Sequence, residues 1–365
     1  MRRTPIRGAA FVGVVGLASL AMFGAGAGAS TEPPGTEPAG TEAEGTEAMA
    51  TEAEGTEPEG TAAELTFPDD LDLNLTFVQG VIGDEFYISM ECGVQDAAEE
   101  IGGISVDVQG PDAFDATLQN PILDSVIASG PDAILVAPND VEASAGPLQR
   151  AQDEGIQVVL VDTVVNDEAI GASRIASDNF GGGVAAADAL AELIGGEGTV
   201  MVINVNPGIS TTDLRQQGFE EQIATYPDIE YIGTEFSNNE PARAAEIVTA
   251  TLAANPDLAG IFATNLFSAQ GTATGLVQAG VQGDVPVVGF DAGPAQVEQL
   301  EAGDVQALVM QKPYDIGYQG VQQAVLAVLG EEVTPEIQTD FVVATADNME
   351  DPEINQWFYK ADCDE

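Results

Sequence analysis

Several apolar segments of this sequence are followed at once by a polar side chain that makes strong, directional hydrogen bonds. These side chains are Asp162, Asn265, Asp291 and Gln311. Two further groups belong to the same pattern, with Asp84 in the turn after the first apolar segment and Arg215 near the start of a later helical pattern. Carboxylates and amides accept hydrogen bonds from hydroxyl groups, and a guanidinium donates them. The set suits a small polyhydroxylated ligand.

Aromatic side chains accompany these polar groups. Phe86 and Tyr87 follow Asp84, Phe290 precedes Asp291, and flat rings stack on the aliphatic C–H faces of polyhydroxylated molecules. Asp and Asn are also common helix caps, so each polar residue taken alone has an ordinary structural explanation. Their recurrence at segment ends in both halves of the chain favours a binding site.

Parallel β-sheets are needed to bring these groups together. Short apolar segments such as Gln157-Val-Val-Leu-Val-Asp162 and Thr199-Val-Met-Val-Ile-Asn204 alternate with helical patterns, which is typical of strands buried on both faces of a parallel sheet. A length of 365 residues suits two domains. The halves meet near Arg174–Gly183, and two doubly wound α/β sheets in tandem place a cleft beyond the carboxyl ends of their strands.

The chain is strongly acidic, with 61 Asp and Glu, nine Lys and Arg, and a formal net charge of −52. It has no basic patch, so nucleic acid and anionic membrane surfaces are poor partners. Such a surface suits a saline habitat, and a compositional habit of the organism explains it equally well.

The amino terminus has the pattern of an export signal over residues 1–29. A basic stretch precedes the apolar segment Ala9–Met22, and Ala27-Gly28-Ala29 supplies small residues at both cleavage positions, so the mature chain is expected to begin at Ser30. A membrane anchor is the alternative, but the apolar stretch is short and interrupted by glycines. No cysteine follows it to carry a lipid, and no stable membrane insertion is expected after cleavage.

Residues 30–66 contain repeats such as Thr-Glu-Pro-Pro-Gly and Thr-Glu-Ala-Glu-Gly. This composition cannot build a core and its glutamates repel, so it predicts an extended, disordered spacer. A tether that holds a domain away from an envelope is the simplest role, and an adhesive or glycan-bearing segment is the alternative.

Enzymatic activity is disfavoured by what the sequence lacks. It contains no histidine, the commonest general base and metal ligand, and no phosphate-binding glycine loop with lysine or G-x-S-x-G elbow. Gly181-Gly-Gly183 is interpreted as a tight helix entry rather than a phosphate cradle. We therefore expect no catalytic residues, no metal and no cofactor.

Six motifs are specific when taken together, although each alone is weak: Phe86-Tyr87, Asp162, Ile175-Ala-Ser-Asp-Asn179, Arg215-Gln-Gln-Gly-Phe219, Val288-Gly-Phe-Asp291 and Gln311. Through these motifs the chain resembles the periplasmic sugar-binding proteins of ABC transporters, of the ribose-binding type, over about Leu73–Ala344.

The resemblance implies two doubly wound parallel-sheet lobes joined by three hinge crossings, the type I periplasmic binding protein fold. It divides the chain into an amino-terminal lobe of residues 70–177 plus 312–340 and a carboxy-terminal lobe of residues 178–311 plus 341–365. The carried-over ligand contacts are Asp84, Phe86, Tyr87, Asp162, Arg215, Asn239, Asn265, Asp291 and Gln311. The alignment around Asn239 leaves a shift of one residue either way open.

The chain departs from the family pattern at several contacts. Thr163 stands where the pattern has arginine, Leu266 where it has aspartate, Asp84 where it has asparagine, and Gly80 where it has serine. Ribose is therefore not the necessary ligand. Another pentose, a hexose, a linear or cyclic polyol, or a cationic ligand remains open.

The resemblance also implies partners. A monomeric, non-enzymatic protein outside the cytoplasm, in the periplasm or on the envelope exterior, would deliver its ligand to an ABC transporter permease. Coupling to a chemoreceptor or sensor kinase is the alternative. A sugar-responsive repressor of similar fold is excluded, because an export signal and an acidic repeat stand where a basic helix-turn-helix would be needed.

The two cysteines, Cys92 and Cys363, are predicted to form a disulfide. Cys92 lies off the apolar stripe of its helix and Cys363 lies in an acidic terminus, so both are expected to be exposed thiols in an oxidising compartment. The geometry requires the residues after Ala346 to return to the first helix, with Trp357, Phe358 and Tyr359 packing on the amino-terminal lobe. Two free thiols or an intermolecular bridge are the alternatives.

Overall fold

The computed structural model describes residues 65–363. The signal peptide predicted for residues 1–29 lies outside these residues, as does all of the predicted spacer at 30–66 except its last two residues. Within the described part, no helix has both the length and the apolar character needed to cross a bilayer.

The described residues form twelve strands and ten helices that alternate along most of the chain. In chain order they are β1 (Leu73–Val78), α1 (Glu85–Ile101), β2 (Ile104–Gln109), α2 (Ala116–Ser129), β3 (Ala133–Val136), α3 (Ala145–Asp153), β4 (Gln157–Val161), β5 (Ser173–Ser177), α4 (Asn179–Leu193), β6 (Glu197–Asn204), α5 (Ser210–Ile223), β7 (Asp228–Phe236), α6 (Pro241–Ala254), β8 (Leu258–Ala263), α7 (Leu266–Ala279), β9 (Val287–Phe290), α8 (Pro294–Ala302), β10 (Ala307–Met310), α9 (Pro313–Leu329), β11 (Glu336–Thr339), β12 (Val342–Thr345) and α10 (Pro352–Asn355).

Two six-stranded sheets organise these elements. The first has the strand order β11-β5-β4-β3-β1-β2 and the second has the equivalent order β12-β10-β9-β8-β6-β7. All strand pairs are parallel except β10 with β12. The predicted fold class, two doubly wound α/β lobes, is confirmed. The sequence did not indicate β11, because its residues Glu336–Thr339 are mostly polar and lie at a sheet edge.

The chain passes between the two sheets three times. It leaves β5 for α4 at Asp178, leaves β10 for α9 at Gln311–Lys312, and leaves β11 for β12 at Asp340–Phe341. Helix α9 returns to the first lobe, where Gly93 and Gly317 let α1 and α9 approach each other closely, since a Cβ at either position would meet the backbone of the other helix at 2.1 Å. The crossings hold the strand ends of both lobes around one cleft.

A disulfide joins Cys92 to Cys363, as predicted. The expectation that both cysteines are exposed is wrong for Cys92, which is 3% exposed. The end of the chain lies over this face of α1, where the backbone N–H of Lys360 donates to Ser89 Oγ at 2.8 Å. Tyr359 packs in the first lobe as expected, whereas Trp357 and Phe358 pack on the second.

Thiol titration of the denatured, unreduced monomer should find no free thiol, because both cysteines are consumed by one intramolecular bond. After reduction the same titration should find two. Two thiols per chain before reduction would show that this bond does not form.

Candidate ligand-binding site

One cavity lies between the carboxyl ends of the two sheets, and the space in it that protein atoms leave free, including its opening to solvent, is about 400 Å³. Nine of the ten predicted contact residues line it. They are Asp84, Phe86, Tyr87, Asp162, Arg215, Asn239, Asn265, Asp291 and Gln311. Most are buried, so a bound molecule would exchange water for protein on nearly all sides.

Two carboxylates occupy equivalent places in the two lobes. Asp162 follows β4 and Asp291 follows β9, the matching strands of sheets with the same order. Each backbone N–H donates at 2.8 Å to the neighbouring strand, to Ile175 O and Val309 O respectively. Both residues have positive φ, 64° and 75°, a conformation that costs roughly 1–2 kcal/mol outside glycine. Both lobes accept this strain where a carboxylate meets the cavity.

Asp291 is held by three hydrogen-bond donors. The Leu266 N–H donates to its Oδ2 at 2.9 Å, while Gln311 Nε2 and the Tyr359 hydroxyl donate to its Oδ1 at 2.7 and 2.9 Å. Because a buried charge is tolerated only when donors surround it, this carboxylate has a fixed orientation at the cavity wall.

The other two carboxyls have fewer protein partners. Asp162 Oδ2 accepts from the Tyr87 hydroxyl at 2.8 Å, and Asp84 Oδ1 caps α1 by accepting from the Phe86 N–H at 2.9 Å. Burial raises the pKa of Asp162 to about 7, against the lowering effects of Arg215 and Tyr87. Burial, with the charge of Asp291, raises the pKa of Asp84 well above its usual value. The cavity therefore favours the protonated forms of Asp84 and Asp162 more than water does.

Arg215 is the only basic residue among those that line the cavity. Its Nε donates to Asn179 Oδ1 at 2.8 Å and its NH1 group donates to Thr264 O at 2.9 Å. The guanidinium lies 3.8 Å above the centroid of the Phe290 ring. None of the ion pairs found among the described residues involves Arg215. Its guanidinium is therefore held in place by neutral acceptors and an aromatic ring rather than by a carboxylate.

Phe290 does not line the cavity, contrary to the sequence prediction. It is fully buried in the core beneath Arg215. Phe290 is the last residue of β9 and its ring lies on the α4 side of the sheet, whereas Asp291 lies just past the strand end, with a φ of 75°, and reaches the cavity. The Phe290 ring supports the Arg215 guanidinium from the core side.

Glycines allow the Arg215 helix to pack closely enough to reach the cavity. A Cβ at Gly183 would lie 2.1 Å from Arg215 O, and one at Gly218 would lie 2.1 Å from Phe180 O. Gly181–Gly183 form the first turns of α4, where Asp178 Oδ1 accepts from the Gly181 N–H at 2.9 Å. This stretch is a helix entry, as predicted.

Asn239 and Asn265 interact across the second lobe. Asn265 Nδ2 donates to Asn239 Oδ1 at 2.6 Å, while Asn265 Oδ1 caps α7 by accepting from the Ser268 N–H at 3.2 Å. Asn239 lines the cavity and its neighbour Asn238 does not. Asn265 and Asp84 therefore cap helices and also line the cavity. A role as a helix cap does not exclude a residue from the site.

Five cavity residues were not anticipated from the sequence. They are Phe114, Val205, Ile209, Thr211 and Thr212. Thr211 and Thr212 lie four and three residues before Arg215 on α5, a spacing that places them on its face of the helix and could have revealed them. Phe114 lies in a loop with no periodic signal. Two buried acceptors of the lining, Thr212 Oγ1 and Gln311 Oε1, have no hydrogen-bond partner within the described residues.

Comparison with known proteins identifies the fold family. The sequence model of the periplasmic binding protein domain matches residues 75–332, most of the described chain. The chain belongs to the periplasmic binding protein family. Proteins of this family are non-enzymatic solute-binding proteins, and this chain is likewise not an enzyme.

Relatives of this periplasmic binding protein have known or assigned sugar ligands. An ABC transporter solute-binding protein from Agrobacterium vitis, solved with bound α-D-tagatopyranose, is 41% identical with a TM-score of 0.77 and covers 79% of this chain and 99% of its own. The D-apiose import binding protein of Actinobacillus succinogenes is 27% identical over 66% of this chain and 76% of its own. The ribose import binding protein of Escherichia coli is 27% identical over 73% and 88%.

The departures from the family pattern have structural consequences in this periplasmic binding protein. A Cβ at Gly80 would lie 2.3 Å from the Tyr87 hydroxyl, so glycine here makes room for the group that donates to Asp162. Leu266 is fully buried and packs in the core of the first lobe. Thr163 Oγ1 is buried with no partner among the described residues.

Proposed function

We propose that this chain is the extracytoplasmic solute-binding component of an ABC importer. It binds one small sugar or polyol in the cavity between the lobes and delivers it to a permease. The residues predicted for the site, apart from Phe290, contact the ligand. Phe290 supports the guanidinium of Arg215. The family and the signal predicted for residues 1–29 support export, so we expect the protein to act outside the cytoplasm. We also propose that it is a monomer.

The observation that carries this proposal is the arrangement of hydrogen-bonding groups around one cavity. Oriented carboxylates from both lobes, a guanidinium and two buried acceptors without partners, Thr212 Oγ1 and Gln311 Oε1, offer paired contacts to neighbouring hydroxyls. Buried polar atoms without partners are costly, so a ligand that satisfies them gains affinity. The bound sugar of the Agrobacterium vitis relative and the names of the apiose and ribose relatives support the ligand class.

A cationic ligand is the competing candidate, since three carboxyls face one guanidinium. The raised pKa values of Asp84 and Asp162 favour a neutral ligand, because burial lets these groups hold protons instead of requiring a ligand cation. A neutral polyol also uses the donors and the acceptors of the cavity together, whereas an amine would use the acceptors alone.

A thermal-shift screen tests this function with D-tagatose, D-ribose, D-apiose, D-allose, myo-inositol and small amines. A ligand at ~100 times its Kd should stabilise the folded protein by ~2.7 kcal/mol. Calorimetric titration of the best probe should give one site per chain, and mass spectrometry should recover the ligand unchanged. A preference for amines over every sugar and polyol, or steady conversion of the ligand, would refute the proposal.

A further inference from the structure

The chain continues after β12 into residues 346–363, which we call the tail. Its first part lies on the second lobe, where Met349, Ile354, Trp357 and Phe358 pack in or against that lobe's core. The Lys312 ammonium lies 4.5 Å above the Trp357 ring, next to the crossing from β10 to α9. The first part of the tail is therefore packed on the second lobe, before the chain crosses to the first lobe.

Tyr359 is the point at which the tail passes from one lobe to the other. Its N–H donates to Ala292 O of the second lobe at 3.0 Å, whereas its ring packs in the core of the first lobe, edge-on to Phe86 at 5.8 Å. Lys360 then bonds to Ser89 on α1, and Cys363 is covalently joined to Cys92 on the same helix. The disulfide thus anchors the residues that follow Tyr359 to α1.

The hydroxyl of Tyr359 contacts two cavity residues from behind. It donates to Asp291 Oδ1 at 2.9 Å and accepts from the Gln311 N–H at 3.2 Å. Tyr359 itself does not line the cavity. Burial, followed by the charge of Asp291, raises the pKa of Tyr359 well above its usual value, so the hydroxyl keeps its proton and remains a donor.

We propose that Tyr359 is a positioning residue for Asp291, and that the Cys92–Cys363 bond holds it in that place. This inference rests on the proposed function, in which Asp291 contacts the ligand. Without the hydroxyl, Asp291 Oδ1 keeps only Gln311 as a donor, and the Gln311 N–H loses its acceptor. With two donors left instead of three, the carboxylate turns away from Leu266 and from the cavity more often. A tail that only stabilises the fold would leave this orientation unchanged.

Hydrogen exchange, followed residue by residue by NMR, tests the positioning without any ligand. The Leu266 N–H touches Asp291 and not Tyr359, so it reports the orientation of the carboxylate. In Tyr359→Phe its exchange should accelerate by about tenfold or more, the change expected for losing a hydrogen bond to a charged group. Tyr226→Phe, which removes a part-buried hydroxyl–carboxylate bond to Asp188 among residues that do not line the cavity, should leave it unchanged. Unaltered exchange at Leu266 in Tyr359→Phe overturns the proposal.

Calorimetry with D-tagatose tests the consequence for binding. Tyr359→Phe should weaken affinity roughly tenfold, and much less in a Cys92→Ser, Cys363→Ser background, where the hydroxyl is no longer held at Asp291. Equal losses in the two backgrounds would contradict the role of the disulfide. If the native protein binds neither D-tagatose nor another probe of the screen, the proposed function fails, and exchange at Leu266 still decides the positioning of Asp291.

Discussion

Replacing Arg215 by methionine is expected to weaken sugar binding by about a hundredfold or more. The guanidinium is the only basic group among the cavity residues, and its neutral partners Asn179 and Thr264 direct it without neutralising it. A charged donor contributes ~1.5–3 kcal/mol for each hydrogen bond to a ligand, so losing two accounts for this factor. Methionine keeps an apolar stem over Phe290, and calorimetric titration measures the change.

Two further variants separate binding from folding. Arg215→Lys keeps the charge but loses the planar fork, so its affinity should lie between those of the native protein and Arg215→Met. Arg174→Met removes a guanidinium that donates to three backbone carbonyls outside the cavity. It should lower the Tm without lowering affinity. If Arg215→Met binds with native affinity, the ligand does not bind at Arg215 and the site lies elsewhere.

The stability of the ligand-free protein should depend on pH through Asp162. Burial raises its folded-state pKa to about 7, above the unfolded value of about 3.9. Between these values the folded state holds a proton that the unfolded state has released. The free energy of unfolding therefore falls as pH rises from about 4 to 7, by up to ~1.4 kcal/mol per pH unit, and the penalty is complete above pH 7.

Asp162→Asn isolates this effect, because asparagine tolerates the positive φ of this position but does not titrate. Urea unfolding at several pH values measures the free energy of unfolding of both proteins. Relative to the native protein, that of the variant should rise by on the order of 4 kcal/mol between pH 4 and 7. Asp84 is present in both proteins, and the charge of Asp162 is the smallest of the causes that raise its pKa, so most of its contribution cancels in the difference. Parallel pH profiles would mean that Asp162 is ionised at little cost in the fold.

The sequence predicted the parts of the site that depend on strand topology. Asp162 and Asp291 follow apolar segments, and parallel strands direct their carboxyl ends to one edge of each sheet. Phe290 is still inside β9 and packs in the core, whereas the cavity lies beyond the carboxyl ends of the strands, where Asp291 stands. Phe114 carries no such signal, because its loop takes its path from tertiary packing.

The tail shows a different limit of sequence reasoning. Tyr359 reaches Asp291 across 68 residues of sequence, and no periodic pattern encodes a contact of that range. The disulfide could be predicted because the chain has only two cysteines, but the exposure of Cys92 could not be judged before the tail was placed over it. The hydrogen bonds of Tyr359 depend on both lobes and on the tail together.

A crystal structure of the protein with the best ligand of the screen tests the central claim most directly. One sugar or polyol should lie in the cavity between the lobes, with hydroxyl groups within hydrogen-bonding distance of Arg215, Asp291 and at least one of Asp84 and Asp162. A ligand bound on one lobe alone, or in the cavity without a contact to Arg215 or Asp291, would contradict the account.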